Sequence, residues 1–262
     1  ELVTVEDDWG TPIDAEKLQT ALAEHPDAKI VAFVHAETST GVCSDTKALC
    51  AMAAEAGCLS IVDSVTGLAG VELRVDDWAA DVTYSGTQKC LSAPPGISLI
   101  TFSEKAAERV QSRNTPVQSW FLDLSLLMAY WQGEGARTYH HTAPVNAMYG
   151  LHEALLMVKE EGIENAWQRH REMHESLAQG VQSLGLDFVV AADSRLPQLN
   201  LVRCPEGLDE AAVRKRLLHD YNLEIGAGLG AFAGKVWRIG LMGYSARREN
   251  IELCISALRS CI

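Results

Sequence analysis

The sequence is poor in positive charge: 22 Lys and Arg stand against 35 Asp and Glu, a formal net charge of −13. An acidic surface of this kind repels phosphate-rich partners, so neither nucleic acid nor an anionic membrane is expected. Long apolar runs are also missing. None approaches the roughly 20 residues that a helix needs to cross a bilayer, and no secretory leader pattern opens the chain. The seven cysteines (Cys43, Cys50, Cys58, Cys90, Cys204, Cys254 and Cys261) are odd in number and include no CxxC pair. That argues against a zinc ribbon or a disulfide framework and for a reducing compartment. The Ser260-Cys261-Ile262 end carries no peroxisomal address, so the cytoplasm is the expected location. Internal repeats and low-complexity segments are absent as well.

What is present is ordinary globular material. The 262 residues are 47% hydrophobic and 22% charged, enough for one large domain with a smaller one attached. The chain opens on Glu1 rather than Met and turns almost at once at Trp9-Gly10-Thr11-Pro12. A preceding segment is therefore expected.

Short apolar runs at residues 28–34, 58–63, 82–85 and 97–102 read as strands. A helical period covers 45–56, with Leu49, Met52, Ala53 and Ala56 on one side and Gly57 at the C-cap. Strands alternating with helices predict an α/β layer with a largely parallel sheet, whose ligands sit beyond the carboxyl ends of the strands. After a helix at 103–113, residues 114–142 read as an irregular stretch rich in Trp, Tyr and His. Helices follow at about 145–161 and 163–184, then strands at 188–191 and 199–204 and a helix at 208–221. A glycine-rich segment, a strand carrying Arg238 and a last helix from Arg247 close the chain. This second half is α+β, which sets a domain boundary near Gly162: a large domain over 1–161 and a smaller one over 162–262.

Asp63 and the Ser85-to-Lys89 turn both fall at strand ends. Lys89 follows a strand among small residues, where a lysine can be held close to a flat cofactor; alone it would pass for a surface lysine. Asp63 closes an apolar strand, where a carboxylate is costly without a positive partner. A protonated pyridine nitrogen would be such a partner, and keeping it protonated makes the ring an electron sink. Arg238 sits inside the apolar strand Val236-Trp237-Arg238-Ile239-Gly240, and its fork suits a carboxylate, or else a structural ion pair. His140-His141 invites a metal reading, but adjacent side chains rarely converge on one ion and no third ligand is nearby, so no metal is expected. Gly226-Ala227-Gly228-Leu229-Gly230 lacks the dinucleotide-loop spacing and reads as a flexible segment at a site entrance.

Taken in order, Val62-Asp63-Ser64-Val65, Ser85-Gly86-Thr87-Gln88-Lys89, Ala93-Pro94-Pro95-Gly96, Tyr139-His140-His141-Thr142-Ala143-Pro144 and Arg238-Ile239-Gly240 resemble the class V, fold type I aminotransferases of the alanine–glyoxylate (serine–pyruvate) kind. The likeness runs from about Glu37 to the C-terminus. It implies a fold type I α/β architecture with pyridoxal 5′-phosphate as cofactor. It further implies transfer of an amino group between a small amino acid, of alanine or serine type, and a 2-oxo acid such as glyoxylate or pyruvate. Lys89 would be the Schiff-base lysine and would move the proton at the substrate Cα. Asp63 would hold the pyridine nitrogen, Thr38 would support the ring and Gln88 would contact the phosphate. Tyr139 and Thr142 would reach the phosphate of the neighbouring subunit of a homodimer, and Arg238 would bind the substrate carboxylate.

Two departures from the family pattern stand out. Gly67 occupies a position where the family often has Ser. The glycine-rich loop and the aromatic that stacks on the cofactor ring, which precede these motifs in the family, are not in this sequence, so half of the cofactor cradle is expected to be missing. A ureidoglycine–glyoxylate aminotransferase remains open, as does a non-catalytic fragment that binds pyridoxal phosphate or dimerises. A cysteine desulfurase fits poorly, because residues 222–238 contain no Cys and Gln88 stands where desulfurases usually have His.

Overall fold

The computed structural model describes residues 1–132 and 138–262. Helix α1 (Ala15–Glu24) starts at Asp14, whose Oδ1 accepts from the backbone of Glu16 and Lys17. Ala15, Leu18 and Leu22 of α1 lie at helical spacing, yet only Leu18 is buried. Strand β1 (Ile30–Val34) leads into a small hairpin, β2 (Ala36–Glu37) and β3 (Val42–Cys43). Helix α2 (Thr46–Glu55), capped by Asp45, then precedes β4 (Leu59–Asp63), β5 (Val82–Gly86) and β6 (Ser98–Phe102).

The sheet order is β1-β4-β5-β6. Strands β1, β4 and β5 are parallel and β6 runs antiparallel to β5. That reversal needs no helical crossover, so the short segment 87–97 can make it directly. Buried Asp81 fixes this layer. Its Oδ2 accepts from the Ser60 backbone at 3.0 Å and its Oδ1 from the Ser103 hydroxyl at 2.8 Å, which ties β4 to the start of helix α3 (Glu104–Gln111).

Within the stretch 114–142, the described residues are less irregular than composition predicts, because they hold a short turn at Trp120–Leu122 and helix α4 (Leu124–Gln132). Helix α4 reads Leu-Ser-Leu-Leu-Met-Ala-Tyr-Trp-Gln and is apolar nearly all round, so it shows no amphipathic period to find. Helices α5 (Val145–Glu161) and α6 (Ile163–Ser183) meet at Gly162, whose φ of +86° makes the corner.

Strands β7 (Leu199–Arg203), β8 (Gly226–Ala227) and β9 (Val236–Gly240) form an antiparallel sheet in the order β7-β9-β8. Helix α6, α7 (Glu210–Tyr221) and α8 (Arg248–Cys261) share a core with it: Leu177, Val202, Leu217, Trp237 and Leu258 are fully buried there. The expected strand at 188–191 is reduced to one bridge, Phe188 to Val202, before the chain turns at Ala192–Ser194. A further cluster joins Ala36 to Leu196, Leu199, Leu201 and Val236, so the two halves of the chain share apolar packing. Among the described residues no helix is long and apolar enough to cross a membrane.

Candidate active site

Asp63 is the last residue of β4, in register with Val34 of β1 and Tyr84 of β5. Its carbonyl accepts from the His35 backbone at 2.9 Å. Its carboxylate is held at both oxygens. Oδ1 accepts from the Val65 backbone N–H at 2.8 Å and Oδ2 from the Tyr84 hydroxyl at 2.8 Å. Burial, with help from the neighbouring Asp63 carboxylate, pushes the Tyr84 hydroxyl up to about 12, so it stays protonated and donates. Among the described residues no cation pairs with Asp63.

The turn after β5 carries Lys89. It is closed by the Ala93 N–H donating to the Thr87 carbonyl at 3.0 Å, the Ser92 N–H to the Lys89 carbonyl at 2.9 Å, and the Thr87 hydroxyl to the Pro94 carbonyl at 2.6 Å. The turns after β4 and β5 are stitched to each other. The Ser64 N–H and hydroxyl both reach the Tyr84 carbonyl at 2.9 Å, and the Ser85 hydroxyl reaches the Ser64 carbonyl at 3.1 Å. Lys89 is half-buried, and its amine makes no hydrogen bond among the described residues. Gln88 is exposed, with its carboxamide lying over Gly86, where a Cβ would stand 2.7 Å from Oε1.

Thr38 lies in the turn of the β2–β3 hairpin, and Arg238, 200 residues away, donates from Nη1 to its carbonyl at 3.0 Å. Arg238 Nε donates to the Ala227 carbonyl at 2.7 Å. No carboxylate pairs with Arg238 among the described residues. The glycine-rich segment expected to be flexible is partly ordered as β8, because Gly226 and Ala227 pair with Arg238 and Trp237. Farther along, Gly230 packs against Trp9, which meets the Phe232 ring edge-on at 5.9 Å. A cavity of about 300 Å³ nearby is lined by Asp7, Asp8, Trp9, Glu37 and Ser39 among others, but by neither Lys89 nor Asp63. Its three carboxylates disfavour an anionic occupant, so it does not compete as the site for a keto acid.

Tyr139 and Thr142 form a pair of their own, their hydroxyl oxygens 2.5 Å apart. No hydrogen bond joins them to Lys89, Asp63 or Gln88 among the described residues. His140, which lies between them in sequence, is buried and stacked on Trp120 at 4.0 Å. Its Nε2 lies 3.1 Å from the Trp120 carbonyl and its Nδ1 2.8 Å from His141 Nδ1. A carbonyl only accepts, so His140 carries its proton on Nε2 and receives one at Nδ1 from His141. Among the described residues no three His, Cys, Asp or Glu side chains gather as metal ligands would.

Sequence reasoning missed two residues. Tyr84 bears on Asp63 only through strand register, which a local motif does not state. His35 is buried, with Nδ1 unpartnered and the ring pushed down to about 4 by burial. A Cβ on Gly67 would stand 2.6 Å from that Nδ1. The departure at Gly67 thus makes room for His35 beside the end of β1.

The class-V aminotransferase profile matches residues 1–252. The chain is similar to the (S)-ureidoglycine–glyoxylate transaminase of Bacillus subtilis, at 36% identity over 98% of this chain and 66% of that one. It is similar to the alanine–glyoxylate aminotransferase of Rattus norvegicus, at 40% identity over 94% of this chain and 60% of that one. The crystal structure of an alanine–glyoxylate aminotransferase from Nostoc sp. superposes with a TM-score of 0.93 at 44% identity, covering 98% of this chain and 67% of that one. The chain therefore spans 60 to 66% of the length of these two curated relatives. The α/β architecture is that of the fold type I aminotransferases, and the chain belongs to the class-V aminotransferase family.

Proposed function

We propose that this chain carries the lysine, the ring-binding carboxylate and the carboxylate-binding arginine of a pyridoxal phosphate-dependent aminotransferase. It would act between a small amino acid of alanine or serine type and a 2-oxo acid such as glyoxylate or pyruvate. One observation carries the reading: Asp63, at the carboxyl end of β4, has no cation, and Arg238, in the middle of β9 and bonded to Thr38 of the β2–β3 hairpin, has no anion among the described residues. A carboxylate and a guanidinium left open in this way call for a ligand with complementary groups.

The residues present fit pyridoxal phosphate. Asp63 uses two hydrogen bonds and retains lone pairs for a ring N–H, and Lys89 has an uncommitted amine. When bound, the cofactor supplies the electron sink that lets a Cα proton leave. Lys89 would carry the cofactor on its amine and, once displaced by substrate, move the proton at the substrate Cα. Asp63, held by Val65 and Tyr84, would keep a proton on the ring nitrogen. Thr38 would support the ring, and Gln88 would turn from Gly86 to the phosphate. Arg238 would bind the substrate carboxylate in two parallel hydrogen bonds.

Tyr139 and Thr142 would serve the phosphate of a second copy's site. The exposed Trp120, Phe121 and Leu122 beside His140 and His141, and the exposed Tyr149 of α5, support a homodimer. We place the boundary between large and small domains at Gly162, supported by the separate core of α6, α7 and α8. Seven unpaired cysteines suit the reducing cytoplasm. The Bacillus relative supports an (S)-ureidoglycine donor as a second reading.

The test is reduction with borohydride in the presence of pyridoxal phosphate, followed by peptide mapping, and a donor screen with glyoxylate and with pyruvate. Label on Lys89 and turnover with alanine or serine are expected. Label on another lysine, or no amino transfer from any donor, would overturn the reading.

A further inference from the structure

Ser92 stands three residues after Lys89 with φ +54°, a left-handed conformation that a residue bearing a Cβ keeps only when its surroundings hold it there. What holds it lies 152 residues away: the Ser92 hydroxyl accepts from the Tyr244 backbone N–H at 2.9 Å. The neighbouring Gly243, itself at φ +53°, packs so closely on the lysine turn that a Cβ there would overlap Ser92 Oγ and the Cys90 carbonyl oxygen. Glycine is required at that contact.

Gly243 is anchored in turn on α6. Its N–H donates to His170 Nε2 at 2.9 Å, and its carbonyl accepts from Arg169 Nη1 at 2.8 Å. His170 is fully buried, and its Nδ1 lies 2.7 Å from the Ala166 carbonyl. The proton therefore sits on Nδ1, which leaves Nε2 free to accept. Arg169 is paired with Glu161 of α5, so the anchor is itself braced.

The bonds inside the Lys89 turn fix its shape, but they do not fix how the turn is set against the rest of the molecule. On one flank the Cys90 thiol makes a weak contact with the Thr66 carbonyl at 3.6 Å. Cys90, Leu91 and Ala93 also pack on Ala69 and Ala154, which is non-directional; of the two side-chain hydrogen bonds that leave the turn, the Tyr244-to-Ser92 bond is the stronger and the directional one.

We propose that Ser92 is a positioning residue, through which the Met242–Ser245 corner, anchored on α6, sets the direction of the Lys89 amine. The proposal rests on Lys89 being the cofactor lysine. It gives the Met242–Ser245 corner, 152 residues from Ser92, a part in catalysis that its distance in sequence does not suggest.

Two variants of the PLP-loaded protein test it. Ser92→Ala keeps the strained backbone and removes the hydroxyl, whereas Ser92→Gly removes both strain and hydroxyl. The readouts are kcat, KM, the thermal midpoint, and the rate at which PLP added to apoprotein becomes attached, followed by absorbance. If Ser92 positions Lys89, both variants slow attachment and lower kcat by about tenfold, the worth of one ordinary hydrogen bond. KM changes less than about twofold, and the glycine variant keeps the native thermal midpoint. Native attachment rate and kcat in Ser92→Gly would overturn the proposal, as would losses that merely track the thermal midpoint in both variants. Native protein labelled at a lysine other than Lys89 would instead remove the functional reading, and this inference with it.

Discussion

At the ends of β4 and β5 the scaffold around Asp63 and Lys89 is bonded within the chain, Val65, Tyr84, Ser64 and Ser85 linking neighbouring segments, while the Lys89 amine and His35 Nδ1 stay open among the described residues. The stretch around Tyr139 is built in the opposite way. Its polar side chains bond to one another, and its large apolar ones face outward, Leu122 at 67% and Tyr149 at 73% exposure. The first region can set its geometry alone. The second has the chemistry of a surface awaiting a partner, where exposed apolar area is the main gain on association. One cofactor site drawing on both regions would be half a property of the chain and half a property of its assembly.

The sharpest test of the self-sufficient region is Arg238→Ala. Its fork is held by the carbonyls of Thr38 and Ala227 and keeps donors for a carboxylate. Loss of a paired carboxylate contact should lower kcat/KM by roughly a hundredfold, while the cofactor absorbance stays in place. Loss of the absorbance as well would show that Arg238 holds the hairpin together and does not bind substrate.

The next test asks whether this region is closed to water. His35 titrates near 4 in the folded protein against an ordinary 6.5, because burial disfavours its charged form. Above 6.5 both folded and unfolded chains are neutral there, and the stability is fully present. As pH falls from 6.5 toward 4 the unfolded chain takes up the proton first, and stability is lost. By pH 5 the loss should be about 2 kcal/mol. Burial also lowers His170 and His174, which adds to the slope in the same direction. Urea midpoints at pH 7 and pH 5, native against His35→Gln, isolate the His35 share. Equal slopes in the two proteins would mean that His35 is open to solvent.

The strand-end region was also the more legible in sequence. Val62-Asp63 and Ser85-to-Lys89 announce themselves because a parallel strand is a short apolar run and its end is where polarity begins. Tyr84 and His35 escaped because their roles come from lateral register and from a glycine on another segment, neither of which is local. The strand expected at 188–191 failed for a related reason: its apolar residues pack without a full ladder, leaving one bridge. Around Tyr139, composition suggested disorder of pattern, and α4 went unseen because its apolar residues cover every face. Thr38 and Arg238 were each singled out in sequence, but the contact between them belongs to the fold.

The smallest expected effect separates the two regions most cleanly. Tyr139→Phe removes one hydroxyl of the Tyr139–Thr142 pair and should weaken cofactor affinity about tenfold, as loss of one hydrogen bond to a charged group predicts. If that hydroxyl serves the neighbouring copy, a hybrid of a Tyr139→Phe subunit with a Lys89→Ala subunit holds one site with neither lesion and one with both. Such hybrids should bind the cofactor at half their sites with native affinity. If instead each site draws its Tyr139 from its own chain, the hybrid has no undamaged site, and every functional lysine shows the weakened affinity. The second result would put the Tyr139 region inside the self-sufficient half of the molecule and erase the contrast between the two.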